Sequence, residues 1–252
     1  MKVNQMKVLS IGNSFSQDAQ RYLHALAKVE GVDLKTVNLM LGGCSLRTHY
    51  LNMLDDEANY WFEFNGMSTG IKVSIRQALV SDDWDYITLQ QASVFSPKEE
   101  SYSPYIEALA EYVKKYCPHA KIMIHQTWAY EDGSERIKNE GYESAEAMFN
   151  LIRSAYAKAN VRIGADGMIP CGEVMYNIWK NGVERVHRDG FHLALGVGRY
   201  AAALTWYAVL TGNSINENAF NDFDEPISES ERKIVIQTIN EVLKRGSNDK
   251  EI

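Results

Sequence analysis

Cysteine is scarce in this chain of 252 residues: Cys44, Cys117 and Cys171 are odd in number and widely spaced. That excludes a disulfide framework and a CxxC metal knuckle, and leaves buried free thiols as the expectation. Proline is scarce too, with five residues, and no Pro/Gly/Ser-rich linker, repeat or low-complexity tract cuts the chain, which reads as a single domain over residues 1–252. Cations are in the minority, 26 Lys and Arg against 33 Asp and Glu, for a formal net charge of −7. Affinity for a phosphate backbone rests on clustered cations, so nucleic acid is not an expected partner. No apolar run approaches the ~18 residues of a spanning helix, and MKVNQMKVLSIG at the start lacks the apolar core of a leader. The expectation is a soluble protein, either cytoplasmic or exported with a leader absent from this sequence.

What the chain does contain is alternation. Short β-rich runs at Lys7 to Ile11, Asp33 to Leu41, Asp85 to Gln90 and Lys121 to Gln126, with a weak fifth at Val161 to Ala165, are separated by patterns of helical period. The helical patterns cover Gln17 to Val29, Pro104 to Tyr116, Ser144 to Ala159, Phe191 to Leu210 and Glu229 to Leu243. Strands alternating with helices imply parallel pairing through right-handed crossovers, hence an α/β fold: a flavodoxin-like, doubly wound, parallel five-stranded sheet with helices on both faces. Asn59 to Val73 breaks the rhythm and reads as a hairpin beside the sheet.

In such sheets ligands sit beyond the carboxyl ends of the strands, and the loops there carry polar residues. Ser14 follows the first strand, Gly42 and Gly43 the second, Gln90 and Gln91 the third. Far along the chain, HRDGFHLALG places Asp189 three residues before His192. An Asp and a His so spaced on a turn can pair, the carboxylate accepting Nδ1–H and leaving Nε2 free as a base. Serine is a weak nucleophile that needs such a base, and the base needs an orienting partner. Ser14, His192 and Asp189 supply the three roles. Donors for an oxyanion are available from the backbone N–H groups of Ser14 and Gly43 and the side chain of Gln91, with Gln90 as the competitor for the last role.

The order of these pieces resembles the SGNH (GDSL-like) hydrolase superfamily, and within it the bacterial branch classed as DUF4886. Gly12-Asn13-Ser14 matches the first block, Gly43 the second, and Asp189-Gly190-Phe191-His192 the D-x-x-H of the last, over a span from Lys7 to about Gly212. Asn13 stands where that family usually has Asp. LQQASVF replaces its G-x-N-D, whose Asn completes the oxyanion hole. The resemblance implies a serine esterase that needs no cofactor, acting on carboxylic esters, with short-acyl (acetyl) esters of carbohydrates as the substrate class. Lipase-like or thioester-cleaving activity on the same triad is the alternative, and a non-catalytic carbohydrate-binding protein of the same fold is the other.

Blander readings exist for each residue. Ser14 suits a helix N-terminus, and Asp189 suits a cap. His187, Asp189 and His192 spell H-x-D-x-x-H, a set of metal-ligand type, but no second cluster completes it, so no metal is expected. His49, Tyr50 and Trp128 fall near strand ends and are expected to line the substrate pocket, together with Trp61 and Tyr130, although aromatics at such places often pack a core. His125 ends a strand and is expected to be a satisfied core histidine.

Overall fold

The computed structural model describes residues 5–248. Seven strands form one sheet: β1 Met6–Gly12, β2 Leu34–Met40, β3 Tyr60–Phe64, β4 Met67–Val73, β5 Tyr86–Leu89, β6 Lys121–His125 and β7 Gly167–Ile169. Their order across the sheet is β4-β3-β2-β1-β5-β6-β7. Pairing is parallel among β2, β1, β5, β6 and β7, whereas β3 and β4 are an antiparallel hairpin laid on the β2 edge. The count is thus seven rather than five, because Asn59 to Val73 extends the sheet instead of standing beside it. Taken alone, the parallel strands follow the flavodoxin-like order.

The parallel strands read as mostly apolar runs because both of their faces are covered, whereas β4 is exposed along nearly its whole length. One core joins the sheet to α1 Ser14–Gln20, α2 Leu23–Val29, α8 Cys171–Lys180, α9 Val197–Thr211 and α10 Glu229–Asn248. The other joins it to α3 Leu46–Asp55, α4 Ile75–Leu79, α5 Tyr105–Tyr116 and α7 Ala145–Ile163. A short helix, α6 Glu135–Asn139, lies in the loop after β6. All three cysteines are free and buried. No helix among the described residues is long and apolar enough to cross a membrane.

Three local expectations shift. The helical pattern from Gln17 breaks into α1 and α2 at Arg21 and Tyr22. The weak strand expected at Val161 to Ala165 belongs to the last turn of α7 and its Gly164 cap, with Val161 80% exposed, and the edge strand forms at Gly167–Ile169. The helix expected from Phe191 starts at Val197 as α9, so Phe191 to Gly196 is loop. That loop carries His192.

Candidate active site

The turn from β1 into α1 is built by Gly12, Asn13 and Ser16. Gly12 admits no Cβ, which would lie 1.9 Å from Ser16 Oγ and 2.9 Å from Asn38 Oδ1. Asn13 caps α1: its Oδ1 accepts from Phe15 N–H at 2.9 Å, while Ser16 Oγ accepts from Asn13 N–H at 3.0 Å, the reciprocal pattern that fixes a helix start. Asn13 Nδ2 donates to the Cys44 carbonyl at 3.1 Å. An aspartate could not do so, which accounts for the amide here. Ser14, the first helical residue, is thereby presented half-buried at the carboxyl end of the sheet.

His192 Nε2 lies 2.9 Å from Ser14 Oγ, across 178 residues of sequence. On the other side of the ring, Nδ1 is 2.7 Å from Asp189 Oδ2. The remaining carboxylate oxygen, Oδ1, accepts from His192 N–H at 2.8 Å and Phe191 N–H at 3.3 Å. Burial raises the pKa of Asp189, but these hydrogen bonds from His192 and Phe191 outweigh it and hold the group below the usual carboxylate value. An ionised carboxylate only accepts, so Nδ1 carries the proton and Nε2 is the acceptor for the serine hydroxyl.

The loop from His187 to Leu193 is closed by a single bridge between those two residues, with Arg188 N–H donating to the His192 carbonyl at 2.9 Å. Trp128 supports it from below. Its indole N–H donates to the Phe191 carbonyl at 2.8 Å, and its ring stacks on Phe15 with centroids 4.3 Å apart. Trp128 is 0% exposed, so it props the loop and does not line a pocket as expected. His49 is likewise wholly buried, bonded through Nδ1 to the Tyr60 hydroxyl at 2.9 Å beneath Cys44. Tyr50 packs on Tyr105, ring centroids 5.6 Å apart. Of the four aromatics Tyr50, Trp61, Trp128 and Tyr130, Trp61 in β3 is the exposed one, at 40%, with Lys72 Nζ 4.7 Å above its ring. It pairs with Met40, whose other neighbour is Gly12, so it lies on the strand row that ends at the Ser14 turn.

The two glutamines after β5 separate cleanly. Gln91 is the one expected to face the site, yet its Nε2 donates to the Ser101 carbonyl and hydroxyl at 3.1 and 3.0 Å. Its Oε1 accepts from Leu46 and Ala92 N–H, both at 2.9 Å. With donors and acceptor so engaged, Gln91 braces two loops and has no hydrogen left for an oxyanion. Gln90 turns the other way: Nε2 donates to Asn13 Oδ1 at 2.7 Å, and Oε1 lies 2.6 Å from His125 Nδ1. Gly43, exposed and at φ +65°, holds the left-handed conformation that favours glycine at the turn opposite.

His187, the other member of the H-x-D-x-x-H string, bonds elsewhere, its Nε2 3.1 Å from the Ala129 carbonyl. It borders a 260 Å³ cavity whose wall also holds Tyr130, Asp132, Tyr176 and Trp179.

The fold is that of SGNH-type hydrolases. The sequence matches the family described as domain of unknown function (DUF4886) over residues 7–238, and the chain belongs to that family. It is 33% identical to a DUF4886 family protein from Bacteroides uniformis, covering 95% of each chain with a TM-score of 0.87. A candidate SGNH hydrolase from Slackia heliotrinireducens is 22% identical over 82% of this chain and 100% of its own, TM-score 0.62. A candidate GDSL-like lipase from Parabacteroides merdae is 16% identical over 84% and 99%, TM-score 0.56. No curated protein gives a significant match.

Proposed function

We propose that this chain is a serine esterase, one catalytic domain in which Ser14, His192 and Asp189 form the triad. The carrying observation is the 2.9 Å contact between Ser14 Oγ and His192 Nε2, backed by Asp189 at 2.7 Å on the opposite ring nitrogen. That is the hydrogen-bond reach a nucleophile and its base require.

Ser14 Oγ attacks the ester carbonyl as its proton passes to His192 Nε2, and the imidazolium is stabilised by Asp189. The oxyanion of the tetrahedral intermediate is met by the Ser14 and Gly43 N–H groups and by the second amide hydrogen of Gln90, in place of Gln91. First-turn N–H groups such as that of Ser14 have no intrahelical acceptor. Collapse expels the alcohol, which takes the proton from His192. Water, deprotonated by the same nitrogen, then attacks the acyl-serine, releasing the carboxylic acid and restoring the hydroxyl.

The substrates are short-acyl esters, with acetyl esters on carbohydrates the foremost class. The triad lies at the surface, with the Asp189 side chain 43% exposed, which suits a bulky polar alcohol and a small acyl group. Trp61, on the strand row that ends at Gly12, offers a flat apolar ring of the kind that stacks on sugars.

A chromogenic acetyl ester and an acetylated oligosaccharide test the proposal. Wild type is expected to release acetate from both, and Ser14→Ala to lose on the order of 10³-fold or more in kcat. Equal rates for the two proteins would end the serine mechanism, whereas sugar binding without turnover in either would make the chain a binding protein.

A further inference from the structure

Asp18 is a charged side chain with 0% exposure, and it lies one turn beyond Ser14 on the same face of α1. Its carboxylate accepts from three places. Leu193 N–H donates to Oδ2 at 3.1 Å, Arg188 Nη1 reaches both oxygens at 3.0 Å, and Arg199 Nε donates to Oδ1 at 2.8 Å. Leu193 follows His192 directly, and Arg188 also holds the loop to itself, through its backbone N–H to the His192 carbonyl and its guanidinium to the Leu193 carbonyl. Arg199 passes the network on to Asp224, which takes Arg21 from the C-terminal end of α1.

The helix and the loop are therefore joined by two parallel rungs, Ser14 to His192 and Asp18 to Leu193. Only the first is chemical. A single, part-buried serine–histidine hydrogen bond is soft by itself, because the serine side chain rotates and the loop that carries His192 can shift. The second rung is buried, charge-assisted and multiply bonded, and it acts between backbone and backbone-fixed groups, so it sets the spacing at which the first can close. We infer that Asp18, with Arg188 and Arg199, is a positioning clamp for catalysis: it registers the His192 loop on α1 and so holds Nε2 within reach of Ser14 Oγ, without touching substrate. Positioning of this kind acts on the chemical step, since a displacement of about an ångström at a reacting pair is felt strongly in rate.

The inference rests on the triad proposed above, and the test separates the two. The full chain carrying Asp18→Asn, Arg188→Lys or Arg188→Met is assayed with 4-nitrophenyl acetate beside wild type and Ser14→Ala, with thermal unfolding followed for each. Asp18→Asn is expected to lower kcat at least tenfold with KM within twofold, and to slow inactivation of Ser14 by a phosphonate ester by a similar factor. Arg188→Lys, which keeps the positive charge, is expected to retain more kcat than Arg188→Met. A folded Asp18→Asn with wild-type kcat, or one whose loss lies wholly in KM, overturns the clamp. If Asp18→Asn does not fold, the Arg188 pair decides, because that side chain is 23% exposed and Asp18 keeps Arg199 as its cation when Arg188 is truncated: equal kcat for Lys, Met and wild type overturns the proposal. Wild type and Ser14→Ala with equal rates would defeat the triad itself, and the clamp with it.

Discussion

Gln90 donates its side-chain amide to Asn13 over 2.7 Å while its carbonyl oxygen takes His125 Nδ1 at 2.6 Å, so a histidine at the end of β6 fixes which way the amide faces at the Ser14 turn. The neighbouring Gln91 spends its amide on Ser101 and its oxygen on two backbone N–H groups. The glutamines should therefore fail differently. Gln90→Ala is expected to lower kcat by ~10²-fold, the scale of a lost oxyanion donor. Gln91→Ala should retain kcat per folded molecule but lose about 1–3 kcal/mol of stability through stranded buried partners. Kinetics and urea unfolding of both variants check this, and the opposite pattern would return the oxyanion role to Gln91.

In the proposed triad Asp189 acts through the imidazole tautomer. Asp189→Asn replaces an obligate acceptor by a group that can donate, which favours the proton on Nε2 and removes the base from Ser14. The expected loss in kcat is on the order of 10³-fold with little change in folding stability, since the side chain is 43% exposed. A residual rate above one tenth of wild type would argue that the carboxylate contributes little.

Asn13 tests the turn. Asn13→Asp keeps the acceptor for Phe15 and Gln90 but sets a carboxylate oxygen against the Cys44 carbonyl that Nδ2 now serves at 3.1 Å. The expected cost is about 1–3 kcal/mol, read from the unfolding midpoint, accompanied by slower acylation as the turn and Gly43 separate. Unchanged stability and rate would show that the amide donor is dispensable.

Acid stability should reflect three buried imidazoles. Burial lowers the pKa of His49 and His125 to about 3 and of His187 to about 4, from an ordinary value of 6.5. Between these limits the unfolded chain binds protons that the folded chain refuses, so stability is full above pH ~7, falls as pH drops below ~6.5 and levels off below the folded values. Each histidine contributes up to about 1.4 kcal/mol per pH unit within that window. Unfolding curves between pH 7.5 and 4.5 measure the slope, and His125→Gln should remove one proton's share of it. A flat profile over that range would contradict neutral burial.

What is legible in the chain is local. The parallel strands read as mostly apolar runs because that part of the sheet is covered on both faces. The Asp189–His192 spacing works because a carboxylate can take the N–H groups two and three residues on, a bond set that the turn itself supplies. Gly12 and Asn13 announce a tight turn into a helix for the same short-range reasons. Gln90 and Gln91 differ in fate because adjacent side chains leave a strand toward opposite faces, and composition does not say which face meets the Ser14 turn. Arg188, Arg199 and Asp18 carry no motif. Their signal was an ion network that exists only when α1, the His192 loop and α9 pack together.

The sequence by itself marked four of the five parallel strands and the serine, histidine and aspartate that are candidates for the chemistry, since those signals depend on neighbours a few bonds away. Tertiary structure alone decided that Ser14 meets His192, that His49 and Trp128 are core and not pocket, and that Asn59 to Val73 becomes two strands. Those outcomes depend on contacts between segments tens to hundreds of residues apart, where the free energy lies in packing and buried hydrogen bonds that no local pattern encodes.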